Sequence, residues 1–372
     1  MNGPVTGAES GRDALADRFR RFATIECPGI SPLYARLAMA AADNHLALDL
    51  AGQRQPGQPP ANILLGAVHF LLQEGIDHPL RRFYPDLDDD PPGTGDVGPA
   101  LDDFLHRHQA RISAIVTRRI VGTNEVRRAA PLRPALQMAG HVLAQAAPDR
   151  APTLVEFGAS AGLLLGFDAY GYDYGDGARY GPADATVTLR SALRGSLPAA
   201  LALPMPRFAN RLGLELNPLD IRDPEDRAWL RALVWPEQRE RFALLDAALD
   251  HARRNPPEIR VGDGLELLPR LADELPASVP LCLYHSFVLY QLPETARQRF
   301  REILGALSRD RPVAEVGFEW DGREAARLSL RIHDAGRCLD DRELARAGAH
   351  GEWLEWLGDG APEAADTNTE EP

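Results

Sequence analysis

Apolar positions recur at the helical period through the first 150 residues and change to short blocks after that. Ala14 to Phe22 forms one amphipathic stretch, which Pro28-Gly29 ends. Ser31-Pro32 reads as an N-cap followed by proline at the first helical position, and Leu33, Leu37, Ala40, Ala41 and Leu48 continue a face behind it. Further helices are expected over Ile63 to Leu72, over the face traced by Leu101, Phe104, Leu105, His108, Ile112, Ile115 and Val116, and from Pro134 to about Ala146. Gly52 to Pro60 and the acidic Asp88 to Pro99 read as exposed loops. With no strand pattern among them, residues 1–150 are expected to form an all-helical N-terminal cap that closes over a substrate.

After Pro152, short apolar runs alternate with helical stretches: Leu154 to Phe157, Leu212 to Leu216, Ile259 to Val261, Leu281 to Tyr284 and Val313 to Phe318. Helices are expected between them at Leu163 to Asp168, Asp223 to Leu233, Glu237 to Arg253 and Pro293 to Leu307. Strand and helix in alternation imply an α/β fold with a mostly parallel sheet over residues 151–357, interrupted by an insertion at 170–206 with a short strand at Ala185 to Leu189. Arg327 to His333 and Glu352 to Leu357 are expected to close it as an antiparallel pair. Residues 358–372 are acidic and read as a disordered tail.

Composition narrows the function classes. A net charge of -13 argues against a nucleic-acid or anionic-membrane partner selected by charge. Cys27, Cys282 and Cys338 are too scattered for a disulfide framework or a structural zinc site, and no metal is expected. Neither a secretory leader nor a spanning apolar run is evident, so a cytoplasmic location and a small-molecule partner are expected.

The candidate chemistry gathers at the ends of the expected strands. Glu156, Gly158, Ser160 and Gly162 form an acidic-x-G-x-S-x-G loop between a strand and a helix, where small residues let a ligand approach the backbone. The loop resembles motif I of the Rossmann-like S-adenosylmethionine-dependent methyltransferases, with serine in place of the middle glycine. It departs from the G-x-G-x-x-G of an NAD-dependent oxidoreductase, which remains an alternative. Glu215, with Asn217 in the turn behind it, suits a ribose, and Asp263 suits the adenine amino group. His285 and Tyr290 are the candidate catalytic residues, His285 because its ordinary pKa lies near neutrality. Asn124, Glu125 and Arg127 are the candidate substrate contacts. A non-catalytic ligand-binding or regulatory protein that keeps the fold but not the reaction is the other alternative.

Tyr34 to Leu50, Thr123-Asn124-Glu125-Val126-Arg127, the 155–162 loop, Tyr172-Asp173-Tyr174-Gly175, Asn217-Pro218 and His350-Gly351-Glu352-Trp353 together resemble the bacterial domain of unknown function 2332 over nearly the whole chain. That resemblance implies architecture rather than a reaction.

Overall fold

Helix starts are set by the expected chemistry. Ser31 Oγ accepts the Tyr34 amide at 3.1 Å, ahead of Pro32 at the first helical position. The computed structural model describes residues 7–88, 93–122, 125–322 and 325–358 and divides into two units, residues 1–123 with 222–246 and residues 124–221 with 247–372. The tail expected to be disordered, 358–372, lies outside the described residues after Gly358.

The first unit holds α1 (Gly7–Arg21), α2 (Pro32–Ala42), α3 (His45–Gly52), α4 (Pro60–Gln73) and α5 (Gly98–Arg118). Helix α6 (Ala129–Ala146) opens the second unit, and α7 (Pro224–Ala232) and the start of α8 (Arg239–Arg254) return to the first. Helix α4 is buried from Pro60 to Leu72 except at Asn62, and Gly66 lets Trp229 of α7 come close, since a Cβ there would stand 3.3 Å from the indole. Glu237 ties the returning segment to α2 by accepting from Ser31 Oγ at 2.5 Å and from the Leu33 amide at 2.7 Å.

The second unit is a mixed α/β fold on a nine-stranded sheet. Its strands are β1 (Thr153–Phe157), β2 (Gly171–Asp173), β3 (Thr188–Arg190), β4 (Ala192–Gly195), β5 (Asn210–Glu215), β6 (Glu258–Val261), β7 (Leu281–Ser286), β8 (Val313–Trp320), β9 (Ala326–Asp334), β10 (Arg337–Ala347) and β11 (Trp353–Trp356). The spatial order is β4-β11-β10-β9-β8-β7-β1-β5-β6, with β2 and β3 forming a separate parallel pair. From β6 across to β8 every pairing is parallel, and β8 to β11 pair antiparallel. All five expected parallel strands are present. The expected closing pair needs correction: β9 and β11 do not pair with each other, because both pair with β10. Strand β10 was missed because Asp340-Asp341-Arg342-Glu343 breaks any apolar alternation.

One sheet face, carrying Val155, Phe157, Leu212, Leu214, Leu281, Leu283 and Val313, packs on α9 (Gly264–Glu274) and α10 (Glu294–Leu307). Helix α6 covers the opposite face over β7, β8 and β9. It begins at Ala129 rather than Pro134, and Pro134 lies inside it. Proline has no N–H to give to the Ala130 carbonyl one turn back, and the Tyr174 hydroxyl donates to that oxygen instead at 2.8 Å. The expected helix after the loop is a 3-10 helix, Leu163–Ala169.

Candidate functional site

Strand β1 leaves the sheet through three left-handed residues: Gly158 at φ 80°, Ser160 at φ 51° and Gly162 at φ 71°. A Cβ at Gly158 would meet Val288 Cγ2 at 2.4 Å, and one at Gly162 would meet Pro257 at 2.8 Å. These two glycines are therefore required by the chain's own packing as well as by their φ. Ser160 holds the same left-handed region with a side chain, a strained choice for a residue with a Cβ.

Glu215, at the end of the neighbouring β5, closes this turn. Its Oε2 accepts the Ser160 amide at 2.7 Å and its Oε1 the Asn217 amide at 3.0 Å, while the Gly158 and Ala159 amides both donate to the Leu214 carbonyl. The Gly162 amide donates to the Ala159 carbonyl at 2.7 Å, so four loop amides are already engaged within the chain. Asp263, after β6, caps α9 by accepting the Leu265 amide at 2.8 Å, and its carboxylate is exposed. Between these acids two large apolar side chains stand in solvent, Leu216 at 62% and Val261 at 65% exposed.

Glu156 lies elsewhere, on the α6 face of β1, opposite Tyr284 of β7 in the register. Burial pushes its carboxyl well above the usual carboxylate range, Glu215 adds to the rise, and the nearby Tyr284 hydroxyl tempers it. By hydrogen-bond geometry, Glu156 Oε2 and Tyr284 Oη have no partner.

His285 is on the other face, edge-on to Phe300 of α10 with ring centroids 5.6 Å apart. Both its nitrogens are engaged: Nδ1 with Glu319 Oε1 at 2.6 Å and Nε2 with Glu315 Oε1 at 3.2 Å. Glu315 also contacts Arg331 Nη1 at 2.9 Å and His333 Nε2 at 3.3 Å. Burial opposes charge on His285, but the two carboxylates outweigh it and raise its pKa to about 9. Burial likewise opposes charge on Glu315, and His285, His333 and Arg331 overcome it and hold the carboxyl well below its usual range. His285 is thus a buried imidazolium between two glutamates, with neither nitrogen open to a substrate. Glu319 also accepts the amides of Val288 and Leu289, each at 3.0 Å, and of Tyr290 at 3.2 Å, and so fixes the turn after β7.

That turn contains Phe287 at φ 58°, unusual for a bulky residue. The Arg128 guanidinium lies 3.8 Å over its ring, and Tyr290 packs against it, half exposed. Arg128 Nε donates to the Ala349 carbonyl at 2.9 Å, and Glu125 Oε2 lies 3.5 Å from His350 Nδ1. Gly351 has φ 74°, and a Cβ there would stand 2.5 Å from the Arg127 carbonyl oxygen. Glu125, Arg127 and the His350-Gly351-Glu352 stretch are therefore neighbours. Asn124 lies outside the described residues.

The structure brings the loop, Glu215, Asn217 and Asp263 to adjacent strand ends, and sets Glu156, His285 and Tyr290 apart from them. Sequence reasoning missed Glu315, Glu319, Arg128 and Phe287. Glu315 and Glu319 had a signal, since acids four apart in an otherwise apolar strand share one face. A cleft of about 550 Å³ lies between the 3-10 helix and the end of α8, bordered by Gly162, Tyr170, Arg211 and His251. It includes none of Glu215, Asp263 and His285. Among the described residues no group of three or more His, Cys, Asp or Glu is placed to hold a metal, and no helix is long and apolar enough to cross a membrane.

The model of a family described as "Uncharacterized protein conserved in bacteria" (DUF2332) matches residues 16–356, so the chain belongs to that family. No curated protein and no solved structure matches.

Proposed function

We propose that the carboxyl edge of β1, β5 and β6 binds S-adenosylmethionine and that the protein is a methyltransferase acting on a small molecule, on a Rossmann-like sheet. What supports this is the order of groups along that edge: the Gly158 to Gly162 loop, Glu215 on the next strand, and Asp263 on the one after, with Leu216 and Val261 exposed between the acids. The parallel strands run β6-β5-β1-β7-β8, the order of a doubly wound sheet, in which ligands bind at the carboxyl ends beside the first strand. The direct turn of β8 into antiparallel β9 departs from that plan.

The residues suit the adenosyl end of such a ligand. Each Glu215 oxygen accepts one backbone amide, and a carboxylate has about four lone-pair sites, so two remain for ribose hydroxyls. Asp263 can accept from an exocyclic amine, and Leu216 and Val261 offer apolar walls for a purine. The cofactor supplies a methyl group on a sulfonium centre. The protein's part is to hold the acceptor atom in line with it at roughly 3–3.5 Å. With both nitrogens of His285 occupied, alignment rather than proton removal is the contribution this site offers.

A ligand-binding protein without catalysis is the second reading, favoured by the enclosed His285. Mass spectrometry of small molecules that copurify with the chain tests the cofactor class, and an adenosyl compound is the expected finding. A melting shift with NADH and none with S-adenosylhomocysteine would select an oxidoreductase instead. Binding without methyl transfer across a broad acceptor screen would select the second reading.

A further inference from the structure

Helices α1 and α3 leave an open groove between them in the first unit, and its charges do not balance. Gly11, Ala14, Leu15 and Arg18 are three and four apart and so share one face of α1. With Leu48 of α3 and Arg54 just beyond that helix, they border a cavity of about 490 Å³. Small residues at 11 and 14 leave the space free, and the two leucines give it an apolar wall.

Three guanidiniums, those of Arg12, Arg18 and Arg54, border this cavity against one carboxylate, that of Asp49. In a chain with 54 acids to 41 lysines and arginines, such a local excess of positive charge runs against the composition. The carboxylate is also taken already, since Asp49 accepts from Arg12 Nε at 2.6 Å and from its Nη2 at 2.8 Å. Neither Arg18 nor Arg54 has an acidic partner among the described residues. Arg54 is half-buried and held from the protein side: Nε donates to the Gln58 carbonyl at 2.8 Å and Nη1 to the Ala51 carbonyl at 3.2 Å. Those carbonyls fix the guanidinium without neutralising it. Burial, and then the charge of Arg18, push the Arg54 pKa below the ordinary arginine value, so the two cations face the same space closely enough to repel. A lone arginine on a helix surface is ordinarily a solvated one. Two that repel across a cavity, one of them half-buried and fixed, are stabilised by an anion between them.

We propose that the groove between α1 and α3 binds a small phosphate monoester, with Arg18 and Arg54 holding the phosphate and Leu15 and Leu48 lying against the organic part. A phosphate monoester carries about two negative charges near neutral pH and three acceptor oxygens, enough for two guanidiniums, whereas a carboxylate answers one. A net charge of -13 sets the chain against an anionic lipid surface, which favours a soluble ester over a lipid headgroup. The site belongs to the first unit and the edge of β1, β5 and β6 to the second, so this inference does not rest on the cofactor reading.

The test is isothermal calorimetry of the full chain in chloride buffer at constant ionic strength, without S-adenosylmethionine, titrated with phenyl phosphate, inorganic phosphate and benzoate. Wild type is expected to bind phenyl phosphate saturably at one site, inorganic phosphate more weakly because it offers the leucines nothing, and benzoate most weakly. Arg18→Gln changes an exposed side chain that holds no other group, so it should fold as wild type does and bind phenyl phosphate roughly tenfold or more weakly. Arg18→Lys keeps the charge without the fork and should fall between the two. No saturable heat from phenyl phosphate at millimolar concentration would overturn the proposal, and so would wild-type affinity in Arg18→Gln or benzoate binding as tightly as phenyl phosphate. Cosedimentation with vesicles containing phosphatidic acid, in a protein that does not bind phenyl phosphate, would assign the arginines to a lipid surface and overturn it as well.

Discussion

Replacing His285 with glutamine removes the cation that holds two buried carboxylates together. In wild type the imidazole bridges Glu319 at 2.6 Å and Glu315 at 3.2 Å, and its pKa is raised from 6.5 to about 9. At about 1.4 kcal/mol per pH unit, that rise corresponds to ~3 kcal/mol in favour of the protonated, folded form. Losing one partner of a buried pair costs a similar ~3–5 kcal/mol. Because the folded pKa lies above the unfolded one, this stabilisation is complete below pH 6.5 and is lost as the pH rises through about 9. Urea unfolding of wild type and His285→Gln at neutral pH should therefore differ by ~3 kcal/mol, and the gap should close by about pH 10. Taking the difference between the two proteins cancels the other groups that titrate in that range. An NMR titration of the imidazole should place its midpoint near 9. A midpoint at the ordinary histidine value, or a gap that stays constant up to pH 10, would refute the reasoning.

Other parts of the second unit respond in distinct ways. Gly317→Ala places a Cβ 2.9 Å from His285 Cε1 and 3.0 Å from Ser329 Oγ, between strands that cannot spread. It should destabilise by ~1–3 kcal/mol in urea, and a loss too small to measure would contradict the packing described. Glu156 is held protonated by burial, so folding loses stability as the pH climbs above the ordinary glutamate value of 4.5. Glu156→Gln, which keeps the shape without that proton, should match wild type at pH 4 and exceed it in stability at pH 7. Equal stability at both pH values would mean that the carboxyl ionises freely.

The parallel half of the sheet was legible because a strand buried on both faces is a near-continuous apolar run, unbroken in Leu281 to Tyr284 and interrupted only by Glu156 in Leu154 to Phe157. The antiparallel half was not, since β10 is half exposed and charged, and its pairing with β9 and β11 is fixed by tertiary contact. Helix α9 escaped notice because it begins at a glycine and contains Pro269. Glu215 and Asp263 could be read from strand ends alone. Which way His285 faces could not, because one step of register moves a side chain from one sheet face to the other.

Isothermal calorimetry of the full chain with S-adenosylmethionine and S-adenosylhomocysteine, on wild type and on Glu215→Ala, tests the cofactor reading most directly. Saturable heat from both ligands on wild type, with affinity reduced roughly tenfold or more in Glu215→Ala as the ribose contact is lost, is the predicted result. No heat from either ligand at concentrations that detect micromolar binding, or equal binding by the two proteins, would contradict it.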